Sequence, residues 1–179
     1  LKMTINNTEN SELISFENAI KIFNLFSINN IYSLSPYYTF LEIKNNVDNS
    51  IPIYWLFRKD KNILLYSFIL RELPISFKKE GLIYDIQPPY GYGCPVFNTN
   101  NKIFIKNARN EFRKWAKKNK VLVEFIKFHP LIDPVIKDIW CDEKDQLIFN
   151  RKVISINLIK ENLLSSFRPR FRTYIRKYI

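Results

Sequence analysis

Asp85-Ile86-Gln87-Pro88-Pro89-Tyr90-Gly91-Tyr92-Gly93-Cys94-Pro95-Val96-Phe97-Asn98 is the stretch from which the fold is read. The chain has three glycines, and all of them fall between Gly81 and Gly93. Pro88, Pro89 and Pro95 bracket the Tyr90-Gly91-Tyr92-Gly93 run. Proline fixes φ and removes a backbone donor. Glycine opens φ > 0 and lets another group approach the backbone. Such a loop can offer backbone N–H groups and the phenols of Tyr90 and Tyr92 to a ring or an anion. The same punctuation also suits a tight connection whose tyrosines pack on a core.

Upstream, Leu82–Ile86 reads as a short strand that feeds the loop. Before it, Ile53–Arg58 and Ile63–Leu70 are β-rich runs separated by Lys59-Asp60-Lys61-Asn62, the pattern of a hairpin. Ser35-Pro36 opens a helix, with serine as cap and proline at the first helical position. Residues 11–27 carry apolar side chains at near-helical spacing, with Ser11 or Ser15 as cap.

Downstream, Asn100-Asn101 caps a helix through Asn119, with Phe104, Ala108, Phe112 and Trp115 as its apolar stripe. Lys106, Arg109, Arg113, Lys114, Lys117 and Lys118 lie off that stripe and read as a solvated face. Val121–Phe128 reads as a central strand, apolar on both faces except at Glu124 and Lys127. Val153–Leu158 reads as a last strand, Leu158–Phe167 as helical, and Pro169 as the start of a further helical turn. Strands in series with interspersed helices give an α/β or α+β class, a mixed central sheet flanked by helices.

Composition narrows the function classes. The 179 residues are 46% hydrophobic, enough for a packed core. A net charge of +11 favours anionic partners: nucleic acid, nucleotide phosphates or an anionic membrane face. No apolar run is long enough for a transmembrane helix, and no signal peptide is visible. Two lone cysteines suit a reducing compartment, and with one histidine they make a metal site improbable.

Three carboxylate or imidazole groups are candidates for proton transfer. Glu124, by strand periodicity, shares a face with Leu122, Ile126 and Phe128. Apolar surroundings would raise its pKa toward that of a general base, and a structural ion pair with Lys127 or an arginine is the plainer alternative. His129, the only histidine, stands at the strand's exit as a proton shuttle or as a satisfied structural ring. Asp85 can hold the loop's amides, orient an amine or close an Asx-type turn. Near the end of the chain, a helical reading puts Arg168, Arg172 and Arg176 on one face, a row suited to phosphate or to solubilising a terminal helix.

Asp85-Ile-Gln-Pro-Pro-Tyr-Gly-Tyr-Gly-Cys-Pro, Glu124-Phe-Ile-Lys-Phe-His-Pro-Leu-Ile and Val153-Ile-Ser-Ile-Asn-Leu with its following arginine-bearing helix resemble, in order and spacing, the bacterial FemABX-like N-acyltransferases. The branch concerned carries Tyr-Gly-Tyr-Gly-Gly-Pro and Glu-Phe-(hydrophobic)-Arg-Phe-His-Pro-Leu. Ile31-Tyr-Ser-Leu-Ser-Pro-Tyr-Tyr is similar to the family's entry to an early helix. The resemblance implies a GNAT-like acyl-CoA N-acyltransferase fold over residues 1–179, with residues 1–30 an N-terminal helical segment and 31–179 the core. It implies correspondence to the first half of a two-domain enzyme, since full-length members have two such halves.

It further implies transfer of an acyl or aminoacyl group to an amine of a cell-envelope precursor, a peptidoglycan peptide or an amino sugar. The donor would be acyl-CoA or aminoacyl-tRNA, and no cofactor would be tightly held. Tyr90, Gly91, Tyr92, Gly93, Pro95 and Asn98 would shape the acceptor cleft. Glu124, helped by Asp85 or His129, would take the amine proton. Arg168, Arg172 and Arg176 would hold phosphates of a nucleotide, carrier or tRNA. Location would be cytoplasmic, with transient association with the inner membrane. Cys94 stands where the family prefers glycine, Asn98 where it often has aspartate, and Lys127 where it has arginine; the Arg/Gln-x-x-Gly-x-Gly/Ala pyrophosphate loop is absent. The competing readings are a non-catalytic basic domain for tRNA or another polyanion, and an inactive truncated relative.

Overall fold

The structure is a computed structural model that describes residues 10–27, 31–44, 49–74, 83–132, 134–149 and 163–178. It divides into two compact units, Leu1–Gln146 and Leu147–Ile179. The first is mixed α/β: a mixed sheet with helices packed on its two faces.

The first strand, β1 (Asn10–Leu13), lies where the sequence suggested helix, and Ser15 rather than Ser11 caps the helix α1 (Phe16–Phe23) that follows. The run 10–13 pairs antiparallel with β2 (Ile51–Lys59), which holds it extended. Helix α2 (Pro36–Lys44) opens as expected: Ser35 Oγ accepts from Tyr37 N at 3.2 Å. β2 and β3 (Asn62–Glu72) form the hairpin, with Asp60 at φ 55° in its two-residue turn. β4 (Tyr84–Gln87) pairs with the far half of β3, and β5 (Val96–Phe97) with the near half. Between them the Pro88–Pro95 loop leaves the sheet beside the middle of β3. Its prolines suit this departure, because they cannot donate to a ladder.

Helix α3 (Lys102–Lys118) is capped by Asn101, whose Oδ1 accepts from Ile103 N and Phe104 N. It returns the chain to β6 (Val121–Glu124), which runs parallel to β4. A parallel neighbour requires such a crossover. Among the described residues the sheet order is β1-β2-β3-β4-β6, with β5 also on β3.

β6 is shorter than the sequence suggested, and its Leu122 and Val123 are exposed rather than buried on both faces. Helix α4 (Pro134–Trp140), not anticipated from sequence, covers the α3 side of the sheet with Trp140. That side is the larger core, built on Trp55, Phe57, Tyr66, Phe68, Phe104 and Phe112. The opposite face packs Ala19 and Phe23 of α1 against Tyr54, Leu65 and Val96.

In the second unit, a 3₁₀ turn at Leu163–Ser166 precedes α5 (Pro169–Lys177), whose proline start agrees with the sequence. The strand read at Val153–Leu158 and the start of the helix read at Leu158–Phe167 lie outside the described residues. Among the described residues, no helix is long and apolar enough to cross a membrane.

Candidate functional site

The two segments quoted above for their motifs meet in space. Gly93 N donates to Lys127 O at 3.0 Å, in an isolated antiparallel bridge. The Tyr92 and His129 rings meet edge-on with centroids 5.1 Å apart, and Lys127 Nζ stands 4.9 Å from the centre of the Tyr92 ring. A glycine is required at position 93, since a Cβ there would lie 2.5 Å from Pro88 Cβ. Gly91 is required for another reason, a φ of +99° in open space. Tyr90 is exposed, while Gly93, Cys94 and Pro95 are buried. The Gly-Tyr run is thus one wall of a seam whose other wall is Lys127–Leu131.

His129 is half-buried, and burial lowers its pKa. Its Nδ1 accepts from Leu131 N at 3.2 Å. In the neutral imidazole this assigns the proton to Nε2, making that nitrogen a donor. Burial pushes the Cys94 thiol up to about 12, so it stays protonated at neutral pH.

The α3 side of the sheet carries a buried ionic network that the sequence reading missed. Arg109, placed on a solvated face by that reading, is 6% exposed. Its guanidinium bonds Glu124 at 2.5 Å and Asp145 at 3.2 Å and lies 4.9 Å from the Trp140 ring. Arg113 extends the network to Asp142 and, at 2.8 Å, to Asp145. Arg109 follows Ile105 by four residues and precedes Phe112 by three, so the apolar stripe of α3 is wide enough to include it. A lone carboxylate in an apolar strand is the sequence signal for such a hidden cation.

Glu124 is therefore ion-paired, the plainer of the two readings its sequence context allowed, with Arg109 rather than Lys127 as partner. Burial raises its pKa, and the Arg109 charge holds that rise back. The Tyr66 hydroxyl, fully buried beside Glu124, also holds that rise back, while Arg109 Nε has no hydrogen-bond partner among the described residues.

Glu124 and Leu122 do not share a face. A register irregularity in β6 pairs Tyr84 with Val121, Asp85 with Val123 and Ile86 with Glu124, which turns Val121 and Glu124 both toward α3. The same register corrects the grouping of Asp85 with Glu124. Ile86 is Glu124's neighbour, so Asp85, one residue earlier, projects from the opposite face. There Asp85 accepts two bonds from Arg71, at 2.6 and 3.1 Å. Asn98 lies away from the seam as well: its Oδ1 accepts from Ile63 N at 2.7 Å and its Nδ2 donates to Lys61 O at 2.8 Å, which clamps the β2–β3 turn.

A cavity of about 330 Å³ opens between α3 and α4, lined by Lys106, Arg109, Asn110, Asp138, Cys141 and Asp142. Among the described residues no cluster of three or more metal-ligating side chains occurs.

In the second unit, Arg168 occupies the cap position before α5, and Arg172 and Arg176 follow one and two turns later on the same face. The opposite side is also basic, with Arg170 and Lys177 beside Thr173 and Tyr174 along an open groove of about 360 Å³.

Comparison with family models, with curated proteins and with solved structures found no match to this chain.

Proposed function

We propose that this chain is a GNAT-like domain of the FemABX type that transfers an acyl or aminoacyl group to an amine on a cell-envelope precursor in the cytoplasm. The observation that carries the reading is the seam: the two segments resembling that family, far apart in sequence, bridge at Gly93–Lys127 and touch at Tyr92–His129. The order of the sheet also supports it, with an antiparallel run that ends in a parallel pair joined through α3.

In this reading the loop Tyr90–Pro95 forms the acceptor wall. His129, neutral and with its proton on Nε2, donates toward the acyl carbonyl oxygen. Glu124, its pKa raised by burial, receives the amine proton as the new C–N bond forms, and that proton passes to the donor's thiol or ribose hydroxyl as its bond to the acyl carbon breaks. Asp85, on the far face, has no part in the step. Catalysis in such a site is largely positioning plus a base, with no covalent intermediate.

The test is acyl transfer from acetyl-CoA and from aminoacyl-tRNA to amino-sugar and peptide amines. Glu124→Gln preserves volume and leaves Asp145 on Arg109, so the chain still folds while turnover falls by about 100-fold or more. Equal turnover in the variant removes Glu124 from the chemistry.

The Arg109–Glu124 pair favours a second reading, in which Glu124 is structural and the chain binds a polyanion without catalysis. That reading requires RNA retention that weakens steeply as salt rises.

A further inference from the structure

We infer that α5 is an interfacial helix that lays its aromatic side on an anionic lipid bilayer. At about 100° per residue, Phe167, Phe171, Tyr174, Ile175 and Tyr178 fall within one face of the helix and its flanks. Phe171, Tyr174 and Tyr178 are 62, 53 and 81% exposed, and no residue of α5 is buried. Cations border this face on both sides: Arg168, Arg172 and Arg176 on one, Arg170 and Lys177 on the other. From Leu163 to Ile179 there is no acidic residue, and none of the five cations is ion-paired among the described residues.

Charge complementarity selects the partner. An apolar face between two basic flanks is the arrangement in which rings enter the headgroup boundary and long cationic side chains reach back to phosphates. The helix has no acidic residue in its first turn, where the dipole disfavours cations, yet Arg168 and Arg170 stand there. An external anion compensates that cost. The groove lined by Arg170, Thr173, Tyr174 and Lys177 is a seat for one phosphate headgroup. Thr173 contributes bulk rather than a donor, because its hydroxyl already donates to Pro169 O at 3.2 Å. At nine residues, or about 13 Å, α5 is too short to span a bilayer and must lie along it. Single-stranded RNA is the less suitable occupant: Phe167 and Phe171 stack on each other with centroids 6.3 Å apart, which closes one face of each ring to a base, and Ile175 offers no ring at all.

The test is co-sedimentation of the full 179-residue chain with vesicles of phosphatidylglycerol and phosphatidylcholine, and of phosphatidylcholine alone. The chain pellets with the anionic vesicles only. Combining Phe171→Ser, Tyr174→Ser and Tyr178→Ser weakens that binding by about tenfold or more, and Arg172→Gln with Arg176→Gln does so too. These side chains are not buried, so an unchanged thermal midpoint accompanies the loss. A chain that stays in the supernatant with anionic vesicles overturns the inference. So does binding that survives removal of the rings and is displaced by RNA, which marks an unspecialised polyanion surface. Acyl transfer is not read in this experiment, so its result is independent of the proposed activity.

Discussion

Arg109 of α3 holds Glu124 of β6 at 2.5 Å on the side of the sheet that carries the larger core. Both side chains are almost fully enclosed, at 8 and 13% exposure. Removing Arg109 leaves the Glu124 charge buried without its cation, whereas removing both leaves an apolar contact and Asp145 on Arg113. Arg109→Met should therefore destabilise the chain by about 3–5 kcal/mol. Arg109→Met with Glu124→Leu should cost clearly less than the sum of the single changes. Denaturant melts of the four proteins measure the coupling, and additive losses would show that the pair does not act as a unit.

The two loop glycines should fail differently. Gly93→Ala pushes a methyl into Pro88 and Pro89, at 2.5 and 3.0 Å, and should cost about 1–3 kcal/mol. Gly91→Ala meets no neighbour, and only its φ of +99° is strained, so about 1 kcal/mol is expected. Thermal melts rank the two. A larger loss at Gly91 would mean that the loop does not pack on its prolines.

His129 gives the only histidine titration, and its pKa is lowered by burial. The folded state therefore binds its proton less readily than the unfolded chain. Stability attributable to this ring is present above the ordinary histidine pKa of about 6.5 and is lost as pH falls below it. Glu124, raised by burial, acts with the opposite sign, losing stability as pH rises through its folded value. His129→Gln should flatten the acid-side slope below pH of about 6.5. Stability measured against pH for both proteins decides it, and an unchanged slope assigns the titration elsewhere.

Asn98 uses both ends of its amide, accepting from Ile63 N and donating to Lys61 O. Aspartate can only accept. Asn98→Asp should thus keep the first bond, place a carboxylate against the Lys61 carbonyl and cost about 0.5–1.5 kcal/mol, by melt. A stabilised variant would contradict the clamp.

Local chemistry made much of this fold legible. Ser35-Pro36, Lys59–Asn62 and Asn101 each carry a turn or cap that depends on neighbours in the chain, and each forms where the sequence places it. What failed depends on distant partners. Asn10–Leu13 is extended because β2 pairs with it, and Arg109 is buried because Glu124 and Asp145 lie under α3. The irregularity at Val121–Val123 breaks the alternation from which Leu122 and Glu124 were assigned one face, and with it the grouping of Glu124 with Asp85. The contact of Tyr92 with His129 joins residues that the sequence had singled out separately.

In the proposed reaction the seam receives an acyl donor or its amine acceptor. With three glycines, two in the seam, a spectrum of the chain labelled with ¹⁵N-glycine holds three backbone peaks. Titration with acetyl-CoA, an aminoacyl-adenosine and a nucleotide-linked amino sugar should shift Gly91 and Gly93 with at least one of them. Gly91 and Gly93 peaks that stay fixed with all three would contradict a substrate site at the seam.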